Sequence, residues 1–118
     1  MWVLRDRDPV DRWTDRRVTL LGDAAHPTLQ YLAQGAGMAI EDAWTLSQRI
    51  AEVDDPAHAF ADYEHSRAVR TARITLFSRL YGEVYHAKGI KREIRAQMLD
   101  GWGDPHARES FAWIYDGI

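Results

Sequence analysis

Gly22-Asp23 closes the apolar run Val18-Thr-Leu-Leu, and Gln34-Gly-Ala-Gly-Met-Ala-Ile-Glu-Asp-Ala43 follows shortly after. A strand that turns sharply at a glycine can bring a carboxylate, backbone N–H groups and a helix start around one polar ligand. Asp23 can accept hydrogen bonds from ligand hydroxyls there; the plainer alternative is a carboxylate that caps its own turn. Ala24 and Ala25 are small enough for a flat group to lie against the backbone. A helix starting near Ala36 offers unpaired amides and partial positive charge, with almost no side-chain bulk in front of them. Close packing through Gly and Ala would use the same residues, with Glu41 and Asp42 complementing the dipole, and the two readings are compatible.

The remaining polar residues offer weaker chemistry. His26 invites a role in proton transfer, but packing or hydrogen bonding suits it at least as well, and no residue is assigned a catalytic role. Gln30 and Tyr31 follow Pro27 on the loop, where Gln30 can hold a substrate hydroxyl or carboxylate or simply face solvent. His58 and His65 lie seven apart, the wrong spacing for a metal pair on one helix face, and no metal site is expected. Arginines 67, 70, 73, 79, 92 and 95, with Lys88 and Lys91, read as a solvated or domain-packing face.

The elements that must position these groups are few. Trp2-Val-Leu-Arg and Val18-Thr-Leu-Leu are strand candidates, the second apolar on both faces like a strand buried within a sheet. Residues 6–16 read as a charged loop broken by Pro9. Ala39, Ala43, Leu46 and Ile50 recur at helical spacing and predict a helix from Ala36 to about Ala51. Asp55-Pro56 is a helix start with an aspartate cap and proline at the first position. That helix is expected to reach about Ala87, with Phe60, Tyr63, Val69, Ala72, Leu76, Leu80, Tyr81 and Val84 on its apolar side. Gly89 ends or bends it. A further helix over about Ile90–Leu99 has Ile90, Ile94 and Met98 in register. Gly101 to Pro105 is a turn, and Pro105 to Trp113 a last helical piece. The fold class expected is mainly α with two short β-strands: residues 1–35 strand and loop with the glycine motif, 36–118 helical.

At 118 residues the chain is one domain at most. The composition, 46% hydrophobic and 28% charged, is that of a globular protein. A net charge of -3 gives no reason to expect nucleic acid or an anionic membrane as partner. No run approaches the roughly 20 apolar residues that span a bilayer, and the start lacks a signal-peptide layout. With no cysteine, a cytoplasmic location is the simplest expectation. A strand like Val18–Leu21 needs neighbours for its backbone groups, and an isolated hairpin is marginal in water. The chain therefore reads as part of a larger fold.

The motif Gly22-Asp-Ala-Ala-His-Pro27 with Gln34–Asp42 resembles the second flavin-contacting motif of the FAD-dependent aromatic hydroxylases, the single-component flavoprotein monooxygenases. The segment His26-Pro-Thr-Leu-Gln-Tyr-Leu-Ala-Gln-Gly-Ala is most similar to the branch that converts 3-hydroxybenzoate to gentisate. The resemblance implies the C-terminal segment of an FAD-binding, Rossmann-like α/β fold. It implies that Asp23, beside Gly22, binds the ribityl chain of FAD and that Pro27 lies beside the flavin. It places Gly35, Ala36, Gly37 and Met38 at the flavin edge that becomes negative on reduction, where a helix N-terminus stabilises charge by roughly 0.3–2 kcal/mol. Gln30 would face the substrate.

Family enzymes use NADH or NADPH and dioxygen to hydroxylate a small aromatic substrate on FAD. The family's N-terminal G-x-G-x-x-G fingerprint for the FAD pyrophosphate is missing from this sequence, as are its mid-chain Asp-Gly motif in context and its substrate-covering sheet. Alone, the polypeptide is expected neither to hold FAD tightly nor to turn over; a separate N-terminal half or a homo-oligomer would be its partner. The second reading is a non-enzymatic helical interaction module that keeps a relic of the flavin motif.

Overall fold

The computed structural model describes residues 3–100, 109 and 111–116. Two short strands, β1 (Thr14–Asp15) and β2 (Val18–Thr19), pair antiparallel with Thr14 opposite Thr19 and Asp15 opposite Val18. The turn between them puts Arg16 in the left-handed region at φ 55°. Two 3-10 turns, Gly22–Ala24 and Gln30–Leu32, lead into α1 (Gly35–Glu52). The long α2 (Pro56–Tyr85) packs back on α1, α3 (Ile90–Leu99) follows, and Ala112–Ile114 form a last 3-10 turn.

Local chemistry sets these boundaries. The Asp55 side chain accepts the Ala57 N–H at 3.1 Å, and Pro56 supplies the fixed φ of a first helical residue, so α2 starts where its cap predicts. Gly89, at φ 56°, turns the chain into α3. In length, α2 is about 45 Å, and α1, both strands and the Gln30–Leu32 turn pack against it.

Several expectations need correction. Val3–Arg5 form no strand; the partner of β2 is Thr14–Asp15. Side chains, not a ladder, hold the first residues: Asp6 and Asp8 bind Arg79, while Arg7 donates to the carbonyls of Ala24 and Ala25. The Val18–Leu21 run is not buried on both faces: Val18 is 65% exposed and Leu21 37%. The inward faces of the helices coincide only in part with those the apolar spacing picks out: Tyr63 is in the core and Leu46 packs against it, but the rest of each face differs. On α1 the buried residues are Met38 and Asp42, while Ala43 and Ile50 are exposed. On α2 they are Ala59, Tyr63, Arg67, Thr71, Ile74, Thr75, Ser78 and Gly82, and Val69, Leu76 and Leu80 face outward. Expected turns and helix over 101–108 lie outside the described residues.

The resulting core is small and polar. Trp13, Ala25 and Tyr63 pack together with Leu46 and Ala68 beside them. Buried polar residues include His26, Asp42, Arg67, Thr71, Thr75 and Ser78. A radius of gyration of 17.2 Å exceeds the roughly 13.5 Å expected for a compact domain of this length. The broad apolar exposure and extended shape are those of a layer made to be covered.

Candidate flavin-contacting site

The site grows from Gly22. At φ 58° only glycine is comfortable, and a Cβ there would stand 3.2 Å from the Cβ of Ala39 on α1. The carbonyl of Gly22 accepts the N–H groups of Ala25 and His26 at 2.9 Å each, which curls Gly22–His26 into a tight turn. Within that turn the side chains part. Ala25 and His26 point into the core at 2% and 5% exposure, whereas Asp23 and Ala24 are exposed. Ala25 is thus a packing residue against Trp13 and Tyr63 rather than room for a flat ligand.

Beneath the turn lies a buried ion network. Asp42 accepts from the Gly22 N–H at 3.0 Å, from His26 Nε2 at 2.5 Å and from Arg67 Nε at 2.8 Å. A carboxylate only accepts, so the His26 proton facing it is on Nε2. Arg67 also donates to Glu41 at 2.6 Å, and Arg70 grips Glu41 with two bonds of 2.8 Å. Burial pushes the Asp42 carboxyl up, but hydrogen bonds from His26, Arg67 and Gly22 outweigh it and hold it below the usual carboxylate range. The Arg70 hydrogen bonds lower Glu41 against its own burial. Burial beside the Asp42 charge raises the Tyr63 phenol, whose hydroxyl donates to the Leu20 carbonyl at 3.2 Å. Glu41 and Asp42 therefore serve α2 and the turn, not the α1 dipole, and Arg67 belongs to the core rather than to a solvated face.

The start of α1 is built of small residues, with the Thr28 methyl beside Gly35 and the Gln34 amide oxygen beside Gly37. Gln34 precedes it without a side-chain cap, and its carbonyl accepts the Met38 N–H at 2.8 Å. The amides of Gly35, Ala36 and Gly37 are those that helix geometry leaves unpaired. Met38 differs: its side chain is fully buried and its N–H is used within the helix. Pro27 is half-buried and Gln30 exposed on the loop between turn and helix. Tyr31, next to it, lies over Gly82 and meets Tyr85 and His86 edge to face or tilted, with ring centroids 6.0 and 5.4 Å away.

One exposed carboxylate, a turn seated on α1 and a helix N-terminus built of small residues fit one part of a large polar cofactor. The sequence holds no glycine loop of the kind that cradles a pyrophosphate.

This combination defines a piece of a flavin-binding fold. Residues 2–78 match the family model described as FAD binding domain, and the chain belongs to that family. It is 48% identical over 115 residues to the 3-hydroxybenzoate 6-hydroxylase of Klebsiella oxytoca and 47% over 116 residues to that of Polaromonas naphthalenivorans. A 3-amino-4-hydroxybenzoate 2-monooxygenase of Streptomyces cremeus is 42% identical over 116 residues. Each match covers 97% of this chain and 29% of the relative. Among solved structures, Klebsiella pneumoniae HpxO complexed with FAD and uric acid superposes with a TM-score of 0.82 at 29% identity, over 95% of this chain and 29% of that one. The chain thus spans under a third of the length of each of these relatives.

Sequence reasoning found the turn and the helix start but missed what joins them. Asp42 and Arg67 were legible only as charges. The available signal was spacing: Asp42 is four residues after Met38, and Arg67 lies midway between Tyr63 and Thr71 on a run of fours.

Proposed function

We propose that this chain forms the FAD-contacting, C-terminal part of a single-component aromatic hydroxylase that acts on a hydroxybenzoate-like substrate. The observation that carries the reading is the position of Asp23. Its carboxylate is exposed between two buried anchors, on a turn packed against the first turns of α1. Relatives named for hydroxybenzoate hydroxylation, matched over 97% of the chain, support the substrate class.

In this reading Asp23 accepts hydrogen bonds from the ribityl hydroxyls, helped by the close approach that Gly22 permits. The amides of Gly35, Ala36 and Gly37 face the negative edge of the reduced ring, and Met38 fills the space beneath them. Pro27 shapes the loop beside the ring, and Gln30 meets the substrate's hydroxyl or carboxylate. When bound, FAD supplies the oxygen chemistry, with NADH or NADPH as reductant and dioxygen as co-substrate. This chain's residues bind, orient and exclude water. A cytoplasmic location accompanies the need for NADH or NADPH.

The test is the visible spectrum of the purified chain after incubation with FAD and desalting. It is run alone and with the part of the Klebsiella oxytoca relative that lies outside the matched segment. Flavin absorbance in the complemented sample only is the expected result. Absorbance in neither sample would leave a helical interaction module with a relic motif. Stoichiometric flavin on the chain alone would overturn its proposed dependence on the missing part.

A further inference from the structure

Asp42 is fully buried and so touches no bound ligand, yet it joins the three elements around the site. One oxygen accepts from Gly22 N–H and His26 Nε2, the two ends of the turn that carries Asp23; the other accepts from Arg67 on α2. The backbone bonds within Gly22–His26 fix the curl of the turn. They do not fix where the turn sits. Arg7, which donates to the Ala24 and Ala25 carbonyls, and the packing of Ala25 on Trp13 and Tyr63 hold its outer side, while the contact of Gly22 with Ala39 and the Asp42 carboxylate tie it to α1.

Asp42 belongs to α1 itself, seven residues past Gly35, which is about 10 Å along a rigid helix. The carboxylate therefore references the turn to the N-terminus of the same helix. Stability alone is a poor reason for it, because well-packed apolar residues often replace buried ion pairs without loss. A hydrogen-bonded carboxylate, unlike an apolar side chain, selects one placement of the donors around it.

We propose that Asp42 is a positioning residue that fixes the exposed Asp23 carboxylate relative to the Gly35–Gly37 amides, so that both meet one bound cofactor. The inference rests on the FAD contacts proposed above for Asp23 and for those amides. Arg67 anchors the carboxylate from α2, and its hydrogen bonds go to Asp42, the Met38 carbonyl and Glu41 rather than to the turn.

Two readouts test it on Asp42→Asn. In the 118-residue chain, amide hydrogen exchange at Gly22 should accelerate about tenfold or more, while the amides of central α2 keep their protection. In the complemented assembly, the FAD Kd should rise about tenfold or more, with a shifted flavin absorption band. Arg67→Met is the control: it should lower the Tm yet leave Gly22 exchange and the flavin band near wild type. Should Asp42→Asn fail to fold, Asp42→Glu keeps the charge on a longer arm and should shift both readouts in the same direction. Unchanged exchange at Gly22, or unchanged FAD affinity and spectrum, would overturn the proposal. If the wild-type assembly bound no flavin, the FAD reading would fall, and the exchange result alone would decide whether Asp42 sets the turn.

Discussion

Arg70 holds Glu41 in a two-pronged pair, both bonds at 2.8 Å, and the same guanidinium donates to the carbonyls of Trp113 and Ile114 at 2.9 and 3.2 Å. One side chain thereby links α1, α2 and the last 3-10 turn. Arg73 reinforces the link, with its guanidinium 3.6 Å from the Trp113 ring centroid. Lysine cannot reproduce this fork. Arg70→Lys should lower stability by about 1–3 kcal/mol, read as a lower Tm, and should increase protease nicking near Trp113. Wild-type Tm and cleavage would show that the fork does not hold the turn.

The carboxylates give the network a defined pH response. Both Glu41 and Asp42 are depressed from ordinary values of 4.5 and 3.8. A group whose folded pKa lies below its unfolded one stabilises fully above the unfolded value and loses that contribution as pH falls through the folded value. The Tm difference between wild type and Asp42→Asn should therefore be constant above about pH 5 and shrink below about pH 4. A difference that persisted undiminished at about pH 3 would contradict the assignment.

Asp23 should behave in the opposite way to Asp42. Its side chain is exposed and hydrogen-bonds to none of the described residues. Asp23→Ala should leave the unfolding free energy within about 0.5 kcal/mol of wild type while weakening FAD binding in the complemented assembly. Unchanged FAD affinity would remove Asp23 from the site.

Gly82 offers a test of packing against propensity. A Cβ there would lie 2.5 Å from the Tyr31 ring, which is itself packed on Tyr85 and His86. Alanine gains about 1 kcal/mol in a helix interior, and overpacking costs about 1–3 kcal/mol. The clash should win, so Gly82→Ala should destabilise by up to about 2 kcal/mol and displace the loop bearing Gln30. Calorimetry and tyrosine NMR shifts measure both effects; a rise in Tm would mean that Tyr31 moves aside freely.

Arg16 lies at φ 55° in the two-residue hairpin turn. The left-handed conformation costs a non-glycine residue about 1–2 kcal/mol. Arg16→Gly should stabilise the chain by up to about 1 kcal/mol, visible as a higher midpoint of urea unfolding. No gain would mean that the arginine side chain compensates for its backbone.

Local signals in the sequence determined the glycine turn, the small-residue helix start, the Asp55-Pro56 cap, the break at Gly89 and the span of α3. Each depends on residues within a turn or two, so spacing alone specifies it. The family followed from the same short motif. Tertiary structure decided which faces point inward. Apolar spacing selects Ala39, Ala43 and Ile50 on α1 and Val69, Leu76 and Leu80 on α2. Of the expected apolar side of α2, Tyr63 is buried as read, but the buried stripes otherwise run through Met38 and Asp42, and through Arg67 and Thr71. A charge is buried only where its partners converge, and Asp42 meets Gly22, His26 and Arg67 across separations of 20, 16 and 25 residues. No periodicity records such a meeting. The outward apolar residues read as core because, in a layer of this kind, apolar surface marks what a further layer covers as much as what the chain itself buries.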